Sequence, residues 1–120
     1  LADFFKVGHG MVFSTGYAAN LGTLVALLNP GDAVLLDADA HASLYDGCQM
    51  SGADIFRFRH NDVESLEKRL QRLGERAQDC LIVTEGLYSV MGDCAPLVEI
   101  AAIRPATPIL AAKWSEWSTW

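Results

Sequence analysis

Two short apolar runs, Ala33 to Asp37 and Cys80 to Thr84, set the limits on how this chain can fold. Neither is long enough for a helix and neither alternates polar with apolar residues, which is the pattern of a strand covered on both faces. Helical patterns lie around them. Tyr17 to Leu28 puts Leu21, Leu24 and Leu28 on one face and closes at Asn29-Pro30-Gly31, while Ala42 to Met50 ends near Ser51-Gly52. The clearest helix is capped by Asn61 or Asp62 and carries Val63, Leu66, Leu70 and Leu73 as its apolar stripe. Glu64 and Lys68 form an i,i+4 pair on it, and Gly74 stops it. Asp54 to Arg59 alternates, so its outer face is expected to be wet. Met11 to Ser14 reads as a first strand, and Leu97 to Ile103 as a last helix halted by Pro105. The alternation predicts an α/β fold, a mainly parallel sheet flanked by helices.

At 120 residues and 51% hydrophobic composition the chain is at most one domain with ample material for a core. A net charge of -6 argues against a nucleic-acid partner, because no basic stripe exists to neutralise phosphates. No run of 18 apolar residues and no basic-then-apolar leader is present, so neither a transmembrane segment nor a secretory signal is expected, and the compartment implied is the cytoplasm. Cys48, Cys80 and Cys94 lack a CxxC spacing, which fits reduced thiols. A metal site built from them with His9, His41 or His60 is disfavoured, since no two share a short ligand spacing. The chain starts at Leu1 rather than Met, and Trp114, Trp117 and Trp120 are its only tryptophans. These features suggest a fragment in which residues 1–103 are part of a larger domain and residues 104–120 form a compositionally foreign tail.

The segment from Ser14 to Asn20 lies where the expected first strand turns into a helix. Such a junction directs unpaired backbone N–H groups and the positive end of a helix dipole at one spot, which suits a phosphate. Gly16 allows close approach of an anion, and Ser14 and Thr15 can add hydroxyl donors. Further polar residues fall at later strand ends: Asp37, Asp39, His41 and Ser43 after one, and Thr84, Glu85, Ser89, Gly92 and Asp93 after another. Parallel sheets bind ligands beyond the carboxyl ends of their strands, so one crevice could collect them. Each has a plainer reading. His41 can simply cap the helix at Ala42, Glu85 can be a surface acid, and the Ser/Thr-Gly turn can be a helix cap in a non-catalytic phosphate-binding α/β module.

Three segments carry a resemblance. They run from Phe13 through Ser14, Thr15, Gly16, Tyr17 and Asn20 to Gly22, from His41 through Ser43, Tyr45 and Asp46 to Gly47, and from Thr84 through Glu85, Tyr88 and Ser89 to Asp93. In this order and spacing the chain from Leu1 to Ile103 resembles the α-oxoamine synthases. These are enzymes dependent on pyridoxal 5'-phosphate, and they join an amino acid to an acyl-CoA with loss of carbon dioxide. Asp37 to Cys48 and Phe56 to Asn61 are most similar to the serine-using branch, whose activity belongs to sphingolipid biosynthesis. Sister branches acting on other substrates share most of the motifs.

The resemblance implies the fold type I large domain of such transferases and a homodimeric parent enzyme. It implies that the amides of Gly16 and Tyr17, beside Ser14 and Thr15, hold the cofactor phosphate. His41 would stack on the pyridine ring and help place the substrate carboxylate, and Glu85 and Ser89 would lie beneath that ring. The family pattern also calls for a later strand ending in Asp-Glu-Ala-His and, beyond it, the lysine that binds the cofactor covalently. Here Pro108 to Ala112 runs into Lys113-Trp114-Ser115 instead. Lys6, Lys68 and Lys113 are not placed for that role, so the chain by itself is expected to be inactive.

Overall fold

The computed structural model describes residues 1–103 and 108–113. A short helix α1 (Ala2–Phe5) precedes α2 (Gly16–Leu27), β1 (Ala33–Asp37), α3 (Ala42–Ser51), β2 (Asp54–Phe58) and α4 (Val63–Leu73). A 3-10 turn (Gly74–Gln78), β3 (Leu81–Leu87), α5 (Leu97–Ile103) and β4 (Ile109–Lys113) follow. The four strands form one sheet in the order β2-β1-β3-β4, and every pairing is parallel.

The two apolar runs take the inner places. β1 is hydrogen-bonded on both sides, with Leu35 opposite Phe56 of β2 and Ile82 of β3, and all five of its residues are buried. Its side chains alternate between two cores. Ala33 and Leu35 join Phe58, Leu66, Leu70, Ile82 and Ile100 on the face covered by α4 and α5. Val34 and Leu36 join Leu24, Leu28, Leu44, Cys48 and Val83 on the face covered by α2 and α3. The sheet is therefore the middle of three layers, and at roughly 25 cal/mol per Å2 of apolar surface removed from water these two cores dominate its stability.

Local signals set the helix ends. Thr15 caps α2 by accepting from the Ala18 N–H at 3.0 Å. Asp62 caps α4 through the Ser65 N–H at 2.8 Å, and Glu64 meets Lys68 as the i,i+4 spacing requires. α3 ends at Gly52, whose φ of 77° is left-handed and suits glycine. β2 does not show the single wet face expected: Asp54 and Arg57 are exposed but lie on opposite faces of the edge strand, and Ile55, Phe56 and Phe58 pack against the two cores. Among the described residues no helix is long and apolar enough to cross a membrane.

Two further expectations are corrected. Met11 to Ser14 is not a strand: Met11 is 81% and Val12 67% exposed, and no described strand runs beside them. Hydrophobic residues alone cannot make a strand, because its N–H and C=O groups need a paired neighbour. Nor does the stretch from residue 104 on lie wholly outside the sheet. Within the stretch set apart as a foreign tail, β4 pairs along β3 with Ile82 opposite Ile109 and Glu85 opposite Ala112. Residues 104–107 and 114–120 of that stretch, including the three tryptophans, lie outside the described residues.

Candidate functional site

The strand order reverses between β1 and β3. The chain leaves β1 for β2 on one side and later returns to lay β3 on the other, and in parallel sheets such a reversal opens a crevice at the carboxyl ends of the two strands. Two of the expected site residues meet there. Glu85, near the end of β3 and 1% exposed, accepts a hydrogen bond at 2.5 Å from the backbone N–H of His41, which opens α3 after β1. Glu85 is thus no surface acid.

His41 does cap α3, and its ring is held by what it caps. Nδ1 accepts from the Ser43 N–H at 3.2 Å and lies 2.8 Å from Ser43 Oγ. Ser43 is fully buried, and its Oγ accepts from Asn20 Nδ2 of α2 at 2.9 Å. α2 and α3 come this close because residue 47 is glycine. A Cβ there would lie 2.8 Å from Leu24 Cδ1 and 3.3 Å from the Asn20 carbonyl oxygen.

The start of α2 faces the same corner. Its first intrahelical bond runs from the Ala19 N–H to the Thr15 carbonyl at 3.1 Å, and Thr15 Oγ1 takes the Ala18 N–H, so the helix supplies no acceptor to the amides of Gly16 and Tyr17. The Tyr17 ring stands edge-on to His41 with centroids 6.3 Å apart, and its hydroxyl donates to Asp46 of α3, which raises the phenol's pKa. Tyr17, His41 and Glu85 are therefore brought together. Ser14 and Thr15 are exposed just before α2, and Ser89 is exposed in the turn after β3.

A second polar group ties the strand-end loops to one another. Asp37, fully buried at the end of β1, accepts from His60 Nδ1 at 2.9 Å, from the Asn61 N–H at 3.0 Å and from the Asp39 N–H at 2.9 Å. His60 Nε2 donates to Asp93 at 3.0 Å, and Asn61 Nδ2 reaches the same carboxylate at 3.1 Å. Tyr88 packs edge-on against His60 at 4.5 Å and hydrogen-bonds Thr84 at 2.7 Å. Burial disfavours the His60 charge, yet the hydrogen bonds and charges of Asp37 and Asp93 outweigh it and raise its pKa. Burial likewise raises that of Tyr88. Asp37, Thr84 and Asp93, grouped with the ligand crevice on sequence, instead brace its loops. Among the described residues no group of three or more His, Cys, Asp or Glu is arranged to hold a metal ion.

Sequence reading missed the Asn20–Ser43–His41 line, the Tyr17–Asp46 contact and the His60 bridge. Their partners are 23, 29 and 33 residues apart at the relevant contacts, and no periodicity reports a contact at such separations.

The sequence from residue 1 to 108 matches the family model of aminotransferase class I and II. The chain is 57% identical over 104 residues to a serine palmitoyltransferase of Caulobacter vibrioides, covering 87% of this chain and 26% of that protein. It is 48% identical over 103 residues to an 8-amino-7-oxononanoate synthase of Hydrogenovibrio crunogenus, covering 86% of this chain and 26% of that protein. Among solved structures, Sphingomonas wittichii serine palmitoyltransferase superposes with a TM-score of 0.80 at 50% identity, over 93% of this chain and 28% of that one. A serine palmitoyltransferase from S. paucimobilis with a bound PLP–myriocin aldimine gives 0.80 at 48% identity over the same shares. The chain spans about a quarter of the length of the curated relatives it matches. With the family model matched along nearly its whole length and the parallel sheet of these structures reproduced, the chain belongs to the aminotransferase class I and II family.

Proposed function

We propose that the chain is the cofactor-facing part of a pyridoxal 5'-phosphate-dependent acyltransferase of the α-oxoamine synthase type, which condenses an amino acid with an acyl-CoA and releases carbon dioxide. The observation that carries this reading is the His41–Glu85 hydrogen bond at the reversal of strand order, beside the start of α2. The donor set there suits the cofactor. Amides of Gly16 and Tyr17 at the positive end of a 12-residue helix would hold its phosphate, with the hydroxyls of Ser14 and Thr15 alongside. His41 would lie against the pyridine ring and help place the substrate carboxylate. Glu85 keeps the loop carrying His41 in place and, with Ser89, would add to the polar surroundings of the ring. When bound, the cofactor supplies the electron sink for the reaction, and the protein supplies orientation.

Serine is the amino acid we assign, with a long-chain acyl thioester as its partner, because identity to the serine palmitoyltransferase exceeds that to the 8-amino-7-oxononanoate synthase. The 48% identity to the latter supports the sister activity as the second reading. Turnover of the full-length enzyme with serine against other amino acids separates the two. A homodimeric parent in the cytoplasm fits the family resemblance and the three free thiols. Within this chain Lys6 is exposed at the end of α1 and Lys68 is exposed beside Glu64 on α4, neither the desolvated amine that covalent attachment of the cofactor needs, and we propose that the 120-residue chain is inactive by itself.

The test is a titration of the chain with pyridoxal 5'-phosphate, followed by cofactor absorbance and thermal melting. Saturable binding that raises the melting temperature, with no stoichiometric adduct on Lys6, Lys68 or Lys113 after borohydride reduction, is expected. Absence of saturable binding in both this chain and its full-length parent overturns the reading.

A further inference from the structure

We infer that Asn20 and Ser43 are positioning residues that fix the tautomer of His41, leaving its ring hydrogen on Nε2; the inference rests on the proposed function only for what that hydrogen then does. A backbone amide can only donate. The Ser43 N–H meets His41 Nδ1 at 3.2 Å, so Nδ1 is the bare, accepting nitrogen and the hydrogen of the neutral imidazole sits on Nε2.

The neighbouring groups agree with that direction. Ser43 Oγ lies 2.8 Å from the same Nδ1 and takes the Asn20 Nδ2 hydrogen at 2.9 Å, so the amide donates to the hydroxyl and the hydroxyl donates to the ring. A hydrogen on Nδ1 would instead face the Ser43 N–H. Ser43 is fully buried, which keeps water from substituting for either partner, and the close approach of α2 and α3 at Gly47 fixes Asn20 in reach. The backbone of His41 is itself held by Glu85. His41 therefore presents Nε2 as a donor, matched to an acceptor such as a carboxylate and mismatched to an ammonium group.

The tautomer can be read without cofactor or turnover, from long-range 15N–1H correlations of the labelled 120-residue chain. His41 is expected to show an unprotonated Nδ1 and a protonated Nε2. Ser43→Ala keeps the backbone N–H but removes the hydroxyl, so the His41 ring signals should move part of the way toward an averaged mixture, and Ser43→Thr should retain the pattern. Asn20→Asp replaces the donor by an acceptor and should draw the Ser43 hydroxyl away from Nδ1, again moving the signals part of the way. His60, held between two carboxylates, is the internal check that each variant is folded. A protonated Nδ1 in the unsubstituted chain, or a His41 signal indifferent to both Ser43→Ala and Asn20→Asp in folded protein, overturns the relay. The two readings separate in the same samples. Cofactor binding alongside a protonated Nδ1 removes the relay and keeps the function, whereas the expected tautomer without cofactor binding keeps the relay and removes the function.

Discussion

The imidazole of His60 donates to the buried carboxylate of Asp37 across 2.9 Å while its other nitrogen donates to Asp93 at 3.0 Å, so one ring clamps the end of β1 to the loop after β3. Carboxylates only accept, and two such bonds are made together only by the protonated ring. The crevice that holds His41 and Glu85 is framed by these same loops.

This clamp gives a pH dependence. The folded pKa of His60 lies above the unfolded value of about 6.5, so its contribution is present in full below that pH and is lost as pH rises through the raised folded value. Thermal midpoints should fall across that window, and His60→Gln should flatten the fall. A midpoint that rises with pH there, or an identical slope in His60→Gln, refutes the assignment.

Removing the ring also uncovers a charge. His60→Ala takes from the buried Asp37 the ring that balances its charge while leaving the Asn61 and Asp39 amides bonded to it, and a loss of about 1–3 kcal/mol is expected from urea unfolding at pH 6. A loss under about 0.5 kcal/mol would place the clamp among contacts of no energetic consequence.

Gly47→Ala should cost about 1–3 kcal/mol, because the added methyl meets Leu24 at 2.8 Å in a packed core. By wedging α2 from α3 it should also weaken the Asn20–Ser43 contact, visible as a change in the His41 ring signals. Stability equal to that of the unsubstituted chain would mean that the helices separate freely.

The thiols should differ in reactivity. Cys94 is exposed and Cys48 and Cys80 are buried, with burial pushing the Cys48 thiol up to about 11. Maleimide should label one cysteine at once and the other two only on unfolding. Rapid labelling of Cys48 in native protein would contradict the packing of α3.

Stacking of His41 on the cofactor would contribute on the order of 0.5–1.5 kcal/mol, taking aromatic pairs as the guide. His41→Ala should weaken pyridoxal 5'-phosphate binding by up to about tenfold, and His41→Phe should recover most of it. Equal affinities in all three proteins would leave His41 as a helix cap.

The sequence determined by itself whatever depends on near neighbours and on a buried surface. The unbroken runs at Ala33 and Cys80 became the inner strands because only a strand paired on both sides buries every residue. Thr15 and Asp62 started their helices and Gly52 ended its own because capping is local chemistry. The motif order placed His41 and Glu85 at strand ends. Tertiary structure decided what joined them. Met11 to Ser14 has strand-forming residues but no partner beside it, whereas Ile109 to Lys113, inside a stretch that looked foreign, has β3 to pair with. The contacts of Glu85 with His41, Asn20 with Ser43 and His60 with Asp93 span 44, 23 and 33 residues, and each exists because the reversal between β1 and β3 and the bare backbone at Gly47 bring distant loops within hydrogen-bond reach. A directional bond of about 3 Å needs both groups fixed by the packed core, and that is a property of the whole fold rather than of any segment of the chain.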